Sequence, residues 1–152
     1  MSADYGNYRT DLNTYLNFYM KLITFTDGGA RGNPGPAAAG VVIKNEAGKI
    51  LTSYGEYLGE QTNNFAEYSG LISALKKAAE LGATEVECVL DSELVTKQMQ
   101  GKYKVKEPTL QKLFVTAYNA AAKFKKVSYR HVMRAQNKEA DKMVNEALDQ
   151  RM

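Results

Sequence analysis

The segment Thr26-Asp27-Gly28-Gly29-Ala30-Arg31-Gly32-Asn33-Pro34-Gly35-Pro36 constrains this chain more than any other. It follows Leu22-Ile23-Thr24-Phe25, a β-branched, apolar run that reads as a strand. An acidic residue at a strand end, followed by four glycines and two prolines, suggests a carboxylate facing a ligand that comes close to the backbone. Glycine lets the main chain approach a phosphate or sugar, and proline fixes the turn that follows. The same residues suit an ordinary hairpin turn with a solvated aspartate. The segment therefore gains a chemical meaning only from acidic residues elsewhere.

At 152 residues the chain is long enough for one domain with a continuous core. A net charge of +3 is compatible with a polyanionic partner without establishing one. No apolar run approaches the roughly 20 residues that span a bilayer, so no membrane association is expected. Met1 to Tyr8 lacks the basic start and apolar stretch of a signal peptide. A single cysteine, Cys88, excludes an internal disulfide and points to a reducing, cytoplasmic compartment. It lies in Val86-Glu87-Cys88-Val89-Leu90, where a buried thiol is expected rather than a nucleophile. With one histidine and one cysteine, a zinc site of soft ligands is not expected, and any metal must be held by oxygen.

Ala37 to Lys44 reads as a second strand, Asn45-Glu46-Ala47-Gly48 as a turn, and Lys49 to Leu58 as a third strand completing a hairpin. Thr62-Asn63-Asn64 offers N-cap side chains to a helix reaching about Leu81, with Leu71, Ala74, Leu75 and Ala78 on one face and Gly82 closing it. Glu85 to Leu90 reads as a fourth strand and Ser92 to Gln100 as a short helix. Pro108 opens a further helix whose apolar stripe begins at Leu110 and Leu113, and Val127 to Met133 alternates as a fifth strand. The last helix starts near Lys138, is capped by Asn137 and buries Ala140, Met143, Val144, Ala147 and Leu148.

The order β-β-β-α-β-α-α-β-α predicts an α/β fold, a five-stranded mixed sheet flanked by helices, over residues 20–152. Residues 1–19 lie outside this plan. Leu12, Tyr15, Leu16 and Tyr19 have helical spacing, so the segment reads either as a frayed extension or as a short helix docking on the body or on a second subunit.

Asp27 ends the first strand, Glu67 lies in the first turns of the long helix, Asp91 ends the fourth strand, and Asp141 lies one turn into the last helix. Singly, each has a plain explanation as a solvated strand end or a helix-dipole partner. Gathered at one spot, four carboxylates would repel one another and take up protons unless cations neutralised them. Magnesium suits such a site because it is hard and oxygen-seeking. Two such ions, roughly 4 Å apart, can activate an attacking water and stabilise a leaving oxygen in phosphodiester cleavage. That chemistry requires the first and fourth strands to be neighbours, with both helices reaching over their ends.

Four segments carry a resemblance. They are the Thr26–Pro36 run, Thr62-Asn63-Asn64-Phe65-Ala66-Glu67, Asp91-Ser92, and His131-Val132-Met133-Arg134-Ala135-Gln136-Asn137-Lys138-Glu139-Ala140-Asp141. In this order and spacing the chain resembles type 1 ribonuclease H from Lys21 to about Asp149. The resemblance implies a ribonuclease H-like fold and endonucleolytic hydrolysis of the RNA strand of RNA–DNA hybrids. It implies two Mg²⁺ or Mn²⁺ ions and products with 5′-phosphate and 3′-hydroxyl ends. Asp27, Glu67, Asp91 and Asp141 then correspond to the metal-binding carboxylates, with Glu67 also ordering the 2′-hydroxyl that marks RNA. Gly28, Ala30, Arg31, Gly32, Asn33, Asn64 and Ser92 fall among the family's substrate contacts, and Thr62 at a contact with a DNA phosphate.

The chain departs from the family pattern in two places. The basic protrusion of many bacterial members is absent, and only Gly101 to Glu107 precedes Pro108. Phosphate contacts are then expected from Lys102, Lys104 and Lys106, or from Lys123, Lys125 and Lys126, unless these form a solvated face. The family's loop histidine has a counterpart in spacing, His131, but this residue alternates with Val127 and Tyr129 as part of a strand. The segment is similar to the compact branch common in archaea and some bacteria, in which the arginine, here Arg134, takes the place near the metals. Some compact members also cut double-stranded RNA. A monomer is expected. The competing readings are a non-catalytic module binding hybrid or double-stranded RNA, which would usually lack a carboxylate, and a proofreading exonuclease, which would lack the Gly-Asn-Pro-Gly turn.

Overall fold

The computed structural model describes residues 18–151. The elements run β1 (Lys21–Ala30), β2 (Gly35–Asn45), β3 (Ile50–Gln61), α1 (Asn63–Glu80), β4 (Glu85–Leu90), α2 (Glu93–Met99), α3 (Pro108–Ala121), β5 (Lys126–His131), a 3-10 turn (Arg134–Gln136) and α4 (Lys138–Asp149). The sheet order is β3-β2-β1-β4-β5. The β1–β2 and β2–β3 pairs are antiparallel, while β1–β4 and β4–β5 are parallel. The expected α/β order and the adjacency of β1 and β4 are both present.

The hydrophobic pattern sorts the helices. Leu22, Val41 and Ile43 on the sheet meet Leu71 and Leu75 of α1 and Leu110 of α3 in the main core, while α4 covers the other face through Val144 and Leu148 against Ala38. Thr62 caps α1 by accepting from the Phe65 amide at 3.2 Å. Gly82, at φ +94°, closes α1 with Ala83 N donating to Ala78 O and Gly82 N to Ala79 O, at 3.0 and 3.1 Å.

Three local expectations change. Asp27 does not end β1; the strand continues to Ala30, pairing Asp27 with Gly40 and Ala30 with Ala37. Pairing with β4, by contrast, stops at Thr26–Leu90, so Asp27 is the first residue of β1 past the end of the parallel ladder. The glycines that looked like a turn thus extend the strand, and the turn itself is confined to residues between Ala30 and Gly35. In addition, β3 runs to Gln61 rather than Leu58. Finally, Asn137 precedes α4 but makes no side-chain cap; its amide is drawn into the interior instead.

Glycines set how closely two helices approach the sheet. An added Cβ at Gly28 would lie 2.2 Å from the Ala66 carbonyl carbon and 2.4 Å from the Glu67 nitrogen, so α1 packs backbone to backbone on β1. Gly40 pairs with Asp27, and Gly55 pairs with Gly40. This row forms a trough for α4: an added Cβ would meet the Ala140 oxygen at 2.2 Å from Gly40 and the Met143 oxygen at 2.3 Å from Gly55.

Of the 1–19 extension, only the end is described. The Tyr19 hydroxyl donates to Glu85 Oε1 at 2.6 Å, and Lys21 pairs with Glu85 at 3.7 Å. The remainder of the expected extension or helix lies outside the described residues. Among the described residues, no helix is long and apolar enough to cross a membrane.

Candidate active site

Thr26, Leu90 and His131 form the last shared row of β1, β4 and β5. Asp27 and Asp91 follow directly beyond it, and the α1 backbone, admitted by Gly28, brings Glu67 to the same place. One carboxylate oxygen from each of Asp27, Glu67 and Asp91 lies within 4.8 Å of the other two. Asp27 is 2% and Glu67 8% exposed. A surface basin of about 470 Å³ opens over them, lined also by Gly28, Gly29, Ala30, Asn63 and Arg134.

Such crowding has an electrostatic consequence. Burial, then the charge of Asp91, pushes the Asp27 carboxyl up to about 7, with Asp141 adding to the rise. Burial, then Asp27 and Asp91, holds Glu67 well above the ordinary carboxylate range. Glu67 Oε2 and Asp91 Oδ2 are buried without a hydrogen-bond partner. Buried acceptors without donors, in an all-oxygen set that repels itself, fit a hard divalent cation such as Mg²⁺ or Mn²⁺.

Asp141 stands in the first turn of α4 outside this trio, close enough to raise Asp27 but paired at 3.8 Å with Arg134. Arg134 is itself well exposed at the basin rim. His131 ends β5 as a strand residue, with its Nε2 3.2 Å from the Asp91 carbonyl oxygen.

The expected substrate contacts surround the basin and several also hold the scaffold. The Ala30 amide donates to Asn63 Oδ1 at 2.8 Å, and the Asn63 amide donates to Asn33 Oδ1 at 3.1 Å, tying the β1–β2 turn to the start of α1. Arg31 reaches Asp149 at 2.7 Å. Ser92 caps α2 by accepting from the Val95 amide. Asn33, Thr62 and Asn64 line an adjoining depression with Glu107 and Thr109. The sequence marks Asn63 and Asn137 only as helix-capping residues; their hydrogen bonds to Ala30 and Thr26 carry no signal in the residues beside them.

A five-stranded mixed sheet with a carboxylate trio beyond the ends of its central parallel strands is the ribonuclease H-like architecture. Residues 25–147 match the family described as "Reverse transcriptase-like". Among solved structures, RNase H1 from the halophilic archaeon Halobacterium salinarum is 42% identical with a TM-score of 0.84, over 86% of this chain and 98% of that one. The LC11-RNase H1 structure, in complex with an RNA/DNA hybrid, is 47% identical with a TM-score of 0.82, again over 86% and 98%. The "Bifunctional protein Rv2228c" of Mycobacterium tuberculosis is 46% identical over 131 residues, 86% of this chain but 36% of that protein. This chain therefore spans about a third of the length of the mycobacterial relatives it matches. The chain belongs to the ribonuclease H family.

Proposed function

We propose that this protein is a metal-dependent endonuclease that hydrolyses the RNA strand of RNA–DNA hybrids, leaving 5′-phosphate and 3′-hydroxyl ends. The observation that carries this reading is the trio Asp27, Glu67 and Asp91 within 4.8 Å, in a chain of this family. The hybrid bound to the 47% identical LC11-RNase H1 supports the choice of substrate.

Asp27, Glu67, Asp91 and Asp141 would hold two Mg²⁺ or Mn²⁺ ions, with Asp141 turning from Arg134 to complete the set. When bound, such ions supply water activation and charge neutralisation at the scissile phosphate. The chain's own contribution is to orient. Asp27 and Glu67 are buried on β1 and α1, which pack backbone to backbone at Gly28, and this burial favours a fixed orientation. Glu67, the most buried of the helix carboxyls here, is placed to order the 2′-hydroxyl that separates RNA from DNA. Gly28, Ala30, Arg31, Gly32, Asn33, Asn64 and Ser92 would meet the minor groove and Thr62 a DNA phosphate. Arg134, at the rim, would face the phosphate being cleaved.

Double-stranded RNA is the second substrate to try, and a monomer in a reducing compartment is the expected working form. The reading as a non-catalytic binding module is disfavoured because all four carboxylates are present. Labelled RNA–DNA hybrid, double-stranded RNA and single strands, incubated with Mg²⁺, Mn²⁺ or EDTA, test the proposal. Metal-dependent cleavage of the hybrid, abolished by Asp27→Asn in a folded protein, is expected. Absence of hybrid cleavage under every metal condition would overturn it.

A further inference from the structure

Asn137 sits directly before α4, yet its side chain is 2% exposed and leaves the helix amides uncapped. Its Nδ2 donates to the Thr26 carbonyl at 2.8 Å, and its Oδ1 is buried without a partner. An asparagine used as a helix cap accepts from the first-turn amides. Here it donates inward and leaves its acceptor orphaned, an arrangement that calls for a reason other than helix termination.

The reason lies in what the residue connects. Thr26 is the last residue of β1 paired to β4, and it immediately precedes Asp27. The backbone amide of Asn137 donates to the Arg134 carbonyl at 3.0 Å, and its carbonyl accepts from the Asp141 amide at 3.1 Å. One buried residue thus joins the strand that carries Asp27, the turn that begins with Arg134 and the first turn of α4 that carries Asp141. The trough at Gly40 and Gly55 allows α4 to approach the sheet, and the exposed pairs Lys44–Glu139 and Arg31–Asp149 also join it to β2 and the β1–β2 turn. The Asn137–Thr26 bond is the buried link, and it pins the helix start to one backbone atom of β1.

We propose that Asn137 is a positioning residue that sets Asp141 and Arg134 relative to Asp27, so that metal binding at the carboxylates depends on its Nδ2 donor. This rests on the carboxylate site assigned above. Groups that orient metal ligands typically change metal affinity or activity by roughly 10–100-fold when removed.

The test compares wild type with Asn137→Ala, Asn137→Asp and Asn137→Ser. Mg²⁺ affinity of the substrate-free protein is measured by calorimetry, alongside kcat and KM on hybrid and the melting temperature. Asn137→Asp keeps the volume and removes the donor. Asn137→Ser caps a helix as well as asparagine does but is too short to reach Thr26. All three should weaken Mg²⁺ binding and lower kcat by about tenfold or more, with KM for the hybrid little changed. Recovery in Asn137→Ser would assign the residue to capping and overturn the proposal. Unchanged Mg²⁺ affinity and kcat in folded Asn137→Ala or Asn137→Asp would overturn it too. So would failure of both to fold, which assigns Asn137 to stability alone. If wild type fails to cleave hybrid, the nuclease reading falls, and the Mg²⁺ titration still decides the role of Asn137.

Discussion

Replacing Gly40 by alanine should lower stability and activity together. Gly40 lies beside Asp27 in the sheet, and α4 passes directly over it. The added Cβ would stand 2.2 Å from the Ala140 oxygen and 3.0 Å from both Met143 Cβ and Val144 N. Ordinary contact begins at 3.4 Å, so going from 2.2 to 3.4 Å requires α4 to retreat by about 1.2 Å. The obstacle is helix backbone, which cannot rotate aside as a side chain would. Overpacking of this kind costs about 1–3 kcal/mol, roughly 3–10 °C in melting temperature for a domain of this size. Asp141 rides on the displaced turn, and a misplacement near 1 Å at a catalytic group can cost on the order of 100-fold in rate. Hybrid cleavage at 25 °C, with melting followed by circular dichroism, reads both effects. Gly48→Ala is the control: at φ +85° it is strained, about 1–2 kcal/mol, but nothing lies within 4 Å of its Cβ. A Gly40→Ala enzyme that is less stable yet keeps wild-type kcat would refute the claim that close approach of α4 sets the site.

Two further predictions rest on titration and burial. Asp27 and Glu67 have raised pKa values in the folded protein, so folding takes up protons there. Their share of stability is full below the ordinary carboxylate range, about pH 4; that of Asp27 is lost as pH rises through about 7, and that of Glu67 as pH rises through its own raised value. Without metal, Asp27→Asn should therefore melt higher than wild type at pH 7, with a gap that narrows on acidification. Mg²⁺ should stabilise wild type increasingly as pH rises, because the ion displaces those protons; a metal shift independent of pH in scanning calorimetry would contradict this. Cys88 is fully buried, and burial pushes its thiol up to about 12. It should resist thiol reagents in the native state and react at once in denaturant; rapid native labelling would mean that β4 opens.

The element order and the acidic residues of the candidate site were legible because they depend on local signals. Alternation in β1 and β4, the helical stripe of α1 and acidic residues placed just past strands or inside helix starts are all readable over short windows. Asp27, Glu67, Asp91 and Asp141 could be picked out as candidate oxygen ligands, and the structure brings three of them within 4.8 Å, with Asp141 outside the trio. Tertiary structure decided the rest. Asp27 looked like a strand end because the sequence reports one chain at a time; it is an end only toward β4 and is mid-strand toward β2. Asn137 looked like a cap because its neighbours in sequence are a helix, while its partner, Thr26, is 111 residues away. Gly40 and Gly55 carry no local turn signal at all. Their need to be glycine comes from a helix backbone lying across them, a contact that no window of sequence contains.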